Sequence, residues 1–214
     1  MRPKGIVRLY KRSRLMWEGE NLFVDSGLPM LANLIAGITA GQFVSAIGFG
    51  SGSTAAANTD TTLGATPSYY SAVGSHTFPS SGSVQFNYAL QVTDYAANNM
   101  TIQELGLFAN AGGASLPAAV GAAFAAWSAN ASESVGNLVL DGNDNVQRCV
   151  TAGTTSSSAP AWNTAPGGIT GDGGVVWTMV ATHIAPGPMI AHVTVPAFAY
   201  NGTGNYAGNW TLTF

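Results

Sequence analysis

Three histidines, ten carboxylates, one cysteine, five tryptophans and one glycine-rich run are what this 214-residue chain offers for chemistry. His76, His183 and His192 fall on different expected elements, and none sits in an HExxH motif or a His/Cys metal-ligand spacing. A single cysteine, Cys149, excludes an intrachain disulfide framework and a Cys-rich zinc site; in its apolar-alternating stretch it reads as a small buried hydrophobe. No GxSxG elbow is present. Gly48-Phe49-Gly50-Ser51-Gly52 lacks the lysine and the following helix that a phosphate loop needs. Glycoside hydrolysis requires two acids facing one cleft. The only close pairs are Glu18/Glu20 and Asp141/Asp144, which are expected in turns or exposed strand segments. The chain therefore predicts no catalytic residue, no metal and no cofactor, and a protein that is not an enzyme.

The tryptophans are the next candidates. Trp127, Trp162 and Trp177 lie among Gly/Ser/Thr/Pro-rich loops. An indole can stack on a sugar, but a small module also needs large side chains to make a core. Trp177 alternates with Val175 and Met179 and reads as core. Trp127 and Trp162 stay open between core and glycan contact.

Charge is sparse and lopsided. Charged residues make up 8% of the chain, against roughly 25% in an average soluble domain. Six of the seven basic residues, Arg2, Lys4, Arg8, Lys11, Arg12 and Arg14, lie in the first fourteen positions, which hold no acid. They form a candidate partner-binding hairpin, facing either an acidic partner or the acidic body of this or a neighbouring subunit. With only Tyr10 and Trp17 interleaved, nucleic acid is not favoured. A surface so poor in charge has weak protection against self-association. It predicts a protein covered by other copies of itself and by neighbouring proteins. No apolar run is long enough to span a bilayer, and the basic start leads into polar Trp17-Glu18-Gly19-Glu20-Asn21, unlike a signal peptide. No membrane association and synthesis in the cytoplasm are the expectations.

The elements that must position these residues are mostly strands. Residues 6–10 and 15–24 predict a hairpin around Lys11-Arg12-Ser13, with a break near Gly19. Asp25-Ser26 offers an N-cap, and Leu28, Leu31, Leu34, Ile35 and Ile38 at helical spacing predict a helix over about 27–38, ended by Gly37 and Gly41. Strands follow at 44–49, 84–92, 100–108, 190–195 and 210–214, with a bulge at Gln103-Glu104 and a turn or bulge at 48–53. Glu104 is a candidate to pair with the basic hairpin. Further strands are expected at 136–140, 145–150 and 175–180, the first two joined by the Asp141-Gly142 turn. Residues 110–126 read as a Gly/Ala-rich linker. The fold class expected is mainly β: an antiparallel, sandwich-like host domain (1–120 plus 184–214) with one helix, carrying a small inserted β module at 121–183.

Residues 4–65 and 102–108 resemble a widespread class of bacteriophage virion proteins of the tail-fibre, baseplate or minor structural kind. The resemblance is carried by Gly5-Ile6-Val7-Arg8-Leu9-Tyr10, by Asn21-Leu22-Phe23-Val24-Asp25-Ser26-Gly27, and by Ile47-Gly48-Phe49-Gly50-Ser51-Gly52-Ser53 running on to Asn58-Thr59-Asp60-Thr61-Thr62-Leu63-Gly64. Glu104-Leu105-Gly106-Leu107-Phe108 and Trp210-Thr211-Leu212-Thr213-Phe214 complete it. The 121–183 segment is similar to small Trp-rich carbohydrate-binding modules through Thr151-Ala152-Gly153-Thr154-Thr155, Pro160-Ala161-Trp162 and Asp172-Gly173-Gly174-Val175-Val176-Trp177; Val135 stands where a Tyr is common. The resemblance implies a virion component assembling with itself and with neighbouring virion proteins, the module projecting outward toward host surface glycan or another protein. Capsid decoration and glycan-binding receptor recognition are the alternatives.

Overall fold

The computed structural model describes residues 3–40, 42–109, 116–121, 124–183 and 186–214. Among these the chain is mainly β with one α-helix, as its alternating patterns predict. In chain order the strands are β1 Lys4–Lys11, β2 Arg14–Phe23, β3 Val44–Gly50, β4 Ser68–Ala72, β5 Ser75–Thr77, β6 Ser83–Leu90, β7 Met100–Ala109, β8 Ala118–Val120 and β9 Ala125–Ala126. They continue with β10 Ser132–Glu133, β11 Leu138–Leu140, β12 Asn145–Thr151, β13 Gly153–Thr154, β14 Ile169–Asp172, β15 Val175–Thr182, β16 Met189–Tyr200 and β17 Tyr206–Thr213; α1 is Leu28–Ile35.

The strands run in the order β5-β6-β17-β1-β2, then β16-β7-β3-β4, then β8-β15-β12-β11-β9, with β14 beside β15. Period-two alternation decides which side chains meet. Along one face Phe86, Trp210 and Val7 are cross-strand partners, as are Tyr88, Gly208 and Leu9. Across from them Ile47, Phe49, Leu105, Leu107, Ala191 and Val193 complete the same buried cluster, with Phe49 edge-on to Tyr88. Gly208 is required because the Tyr88 ring lies over it, so that the Tyr88 hydroxyl can donate to the Arg8 carbonyl.

The opposite face of β3, β4 and β7 is also buried. Ala46, Leu63, Tyr70 and Phe108 form a second cluster there, under the long connection 51–67. Phase slips between Ile102 and Leu105 on β7 and between Val195 and Phe198 on β16, so the expected bulge at Gln103-Glu104 has an irregular partner at Thr194–Phe198. This slip turns Glu104 away from the two-sheet core and under the connection.

Several local expectations are corrected. β2 runs unbroken through Gly19, over which the Trp17 ring lies; the irregularity falls instead opposite Leu9/Tyr10. The helix is shorter than 27–38, with a 3-10 turn at Asp25–Gly27 before it, and neither Asp25 nor Ser26 caps it through a side chain. Ser26 Oγ donates instead to the carbonyls of Met189 and Asp60, which tie the 3-10 turn down. Gly37, at φ +79°, turns the chain after the helix; Gly41 lies outside the described residues. The helix buries Met30 and leaves much of its apolar surface out, Ile35 being 89% exposed.

Within 121–183, β12 pairs β11 and β15, while β14 pairs β15. This group meets the remainder through a parallel bridge between Thr182 and Ala118. Val146 and Ala181 join the main buried cluster, and the Arg148 guanidinium sits 3.9 Å over the Tyr95 ring. Of the expected linker, 110–115 and 122–123 lie outside the described residues, while 118–120 is strand β8.

Candidate functional site

A buried cluster of three ionisable side chains lies on the outer face of β3, β7 and β16. His192 is 2% exposed and Glu104 is 1% exposed. His192 Nε2 lies 2.9 Å from Glu104 Oε2, and Nδ1 lies 2.7 Å from Asp60 Oδ2. Glu104 also accepts the backbone N–H groups of Gly52 (2.8 Å), Gly64 (2.8 Å) and Ala65 (3.2 Å). Asp60 accepts the N–H of Ala57 at 2.7 Å. One buried carboxylate therefore gathers both ends of the 51–67 connection.

Electrostatics follow from that geometry. Burial alone would lower the His192 pKa, but the hydrogen bonds and charges of Glu104 and Asp60 raise it above its ordinary value. Burial would raise Glu104, yet the bond from His192 and the amides of Gly64 and Gly52 hold it below the usual carboxylate range. Asp60 is likewise held down, by the Ala57 amide and by His192 against the pull of burial. The imidazolium form can donate from both nitrogens, which matches two carboxylates placed on opposite edges of the ring.

The glycines of the 48–52 run explain why the carboxylate fits. A Cβ on Gly50 would meet Glu104 Oε1 at 2.5 Å. Gly48 and Gly106 are cross-strand partners, and a Cβ on Gly48 would meet Phe108 Cε2 at 2.7 Å and Leu63 Cδ1 at 3.0 Å. Glycine removes the side chains on this face so that Leu63 and Glu104 can lie against the sheet. The run is thus half strand and half loop: Gly48 and Gly50 end β3. Glu104 does not pair with the basic hairpin as expected, because its bonds are spent inside.

A second buried carboxylate organises the tryptophans. Asp172 Oδ2 accepts the indole N–H of Trp127 at 2.8 Å and of Trp177 at 2.9 Å, while Oδ1 accepts Ser156 N at 2.9 Å and the Ser156 hydroxyl. These donors outweigh burial and lower the Asp172 pKa. Trp127, Trp162 and Trp177 stand edge-to-face in a row, with interplanar angles of 80° and 62°. Trp177 is fully buried, as expected; Trp127 and Trp162 are half-buried against it. Asp141 is corrected from an exposed turn acid to a buried one, which accepts from Asn143 N, Asn145 N and Gln147 Nε2. Cys149 is buried, as expected.

The basic hairpin is assembled as a hairpin, but not as one charge cluster. Arg2 lies outside the described residues. Arg8 Nε donates to Glu18 Oε2 across the strand pair at 2.5 Å. Lys11 Nζ lies 4.9 Å over the Tyr206 ring. Lys4, Lys11, Arg12 and Arg14 are exposed. A separate apolar groove of about 410 Å³ lies between α1 and β6, lined by residues that include Leu31, Leu34, Phe43, Phe78, Val84 and Phe214.

The two ring nitrogens of His192 face different carboxylates, so the three groups do not converge on one point. Among the described residues no set of three or more His, Cys, Asp or Glu side chains could hold a metal ion. Among the same residues no helix is long and apolar enough to cross a membrane. The sequence missed the His192 group because its members are 44 and 88 residues apart along the chain; its one legible trace was a charged Glu104 in an otherwise apolar strand.

No family model matches the chain. No curated protein and no solved structure matches it either.

Proposed function

We propose that this protein is a structural component of a bacteriophage virion, of the tail-fibre, baseplate or tail-adaptor kind, that acts by assembling with copies of itself and with neighbouring virion proteins. The observation that carries this reading is the uncharged apolar surface around α1. Phe43, Phe78 and Phe214 are 56%, 74% and 61% exposed there, and Ile35 is 89% exposed on the helix beside them. Residues 27–59 contain no charged side chain to keep that surface wet. A large exposed apolar patch on a folded protein marks a surface that meets another molecule. The resemblance of residues 4–65 and 102–108 to phage virion proteins supports the same reading, and within those segments Glu104 pins the 51–67 connection to the sheet.

Sedimentation velocity over a hundredfold concentration range tests the assembly, with Ile35→Glu/Phe78→Ser as the variant that should remain monomeric. A wild-type chain that stays monomeric throughout and is missing from mature particles would overturn the reading. Copy number in particles separates a tail role (a dozen or two) from capsid decoration (hundreds). A glycan-binding role rests on the half-exposed Trp162. Against a broad sugar platform, Trp127 spends its N–H on Asp172 and stands edge-on to Trp162.

A further inference from the structure

The acids of this chain are largely turned inward. Glu104, Asp141 and Asp172 are buried, and Asp60 and Asp94 are half-buried and bonded to His192 and Tyr69. Glu18 is taken by Arg8. The exposed remainder, Glu20, Asp25 and Asp144, and the half-buried Glu133, which accepts from Asn137, lie on separate segments of the chain and form no run of acids to match the basic tip. The cations do the opposite. Lys11, Arg12 and Arg14 crowd the end of the β1–β2 hairpin, where the two-residue turn Arg12-Ser13 has φ of +49° and +65°. That tight turn holds the cations on a defined scaffold, flanked by Leu15 and Met16 at 49% and 45% exposure. The same five side chains line one shallow concavity.

We infer that the hairpin tip, residues 11–16, docks on an acidic protein surface that also offers an apolar socket, supplied by a polypeptide other than this chain. Self-pairing fails on charge, because neither this copy nor a second one presents clustered acids to meet three cations. A nucleic-acid strand is the poorer fit, because base stacking needs exposed aromatic faces. The aromatic residues nearest in sequence, Tyr10 and Trp17, are half-buried, the Trp17 ring lies on Gly19, and Tyr206, under Lys11, is buried. Leu15 and Met16 have no use on a phosphate backbone and a direct one in an apolar socket. The inference names a partner for the assembly reading and rests on it.

The test uses the full chain and three fluorescent probes: a 20-residue peptide alternating Glu and Leu pairs, a 20-residue poly-Glu peptide, and a dT 20-mer. Anisotropy at two salt concentrations should show the Glu/Leu peptide bound most tightly, with affinity falling several-fold as salt rises. Arg12→Glu/Arg14→Glu should weaken that binding at least tenfold, and Leu15→Ser/Met16→Ser several-fold, with the circular dichroism melt unchanged. Tighter binding of the dT 20-mer, or a charge reversal without effect, would overturn the inference. So would loss of self-association in the Arg12→Glu/Arg14→Glu variant, which would make the tip a contact between copies. A wild-type chain that binds the Glu/Leu peptide as described, yet stays monomeric and is missing from mature particles, would defeat the assembly reading and leave the tip's chemistry standing.

Discussion

Replacing Glu104 by Gln tests whether one buried carboxylate holds the 51–67 connection to the sheet. The amide keeps the size of the side chain but turns one acceptor oxygen into a donor. Whichever way it is oriented, its NH2 faces either the amides of Gly52 and Ala65 or that of Gly64, all of which are donors, as is His192 Nε2 in the imidazolium form. His192 would then keep Asp60 as its one carboxylate partner. Breaking a buried ion pair from one side costs about 3–5 kcal/mol. For a chain of this size that corresponds to a melting temperature lower by about 6–20 °C. Hydrogen exchange should locate the damage, with the amides of Gly52, Gly64 and Ala65 losing protection before those of β1 and β17. A loss below about 1 kcal/mol, which is the scale of a single neutral hydrogen bond, would refute the reasoning. So would unchanged protection at these three amides.

The same group gives stability a definite pH dependence. The His192 contribution is complete below its unfolded value, about 6.5, and is lost as pH rises through its elevated folded value. The Glu104 and Asp60 contributions are complete above their unfolded values, about 4.5 and 3.8, and are lost as pH falls through their depressed folded values. The wild type should therefore melt highest between these limits. Glu104→Gln should flatten the alkaline limb, which a pH series of thermal melts reads directly.

Three further outcomes are expected. Asp172→Asn leaves too few acceptors for the Trp127 and Trp177 indoles and the Ser156 donors, so it should cost about 3 kcal/mol and red-shift tryptophan emission; an unshifted spectrum and melt would contradict this. Gly48→Ala drives a methyl into the rings of Phe108 and Tyr70 and should cost about 1–3 kcal/mol, measured by urea denaturation, with a neutral result counting against the close-approach argument. Trp162→Ala should abolish binding on a glycan array if the module recognises sugar, whereas a wild-type chain that binds no glycan removes that role.

How much of this was legible beforehand varies with the range of the interaction. The β6 strand could be read directly from Val84, Phe86, Tyr88 and Leu90, because alternation is a local property. The buried Cys149 and Trp177 followed from the same rule. Helix α1 was legible by its spacing, but its cap was not. Ser26 is a good capping residue by type, yet the Met189 carbonyl, 163 residues away, claims its hydroxyl. The charge asymmetry was plain in the composition, though the acidic body was read as a surface when half of those acids in fact serve as internal acceptors.

Side-chain type and periodicity thus determined the mainly β class and the hairpin with its basic tip, since both depend on neighbours in the chain. Tertiary structure alone decided that Glu104, His192 and Asp60 meet, that Gly50 clears room for Glu104 while Gly48 and Gly106 clear it for Leu63 and Phe108, and that Leu34 and Ile35 of α1 face out. The physical reason is that a buried charge must find its partner wherever the fold brings one within reach. Such partners carry no mark in the local pattern.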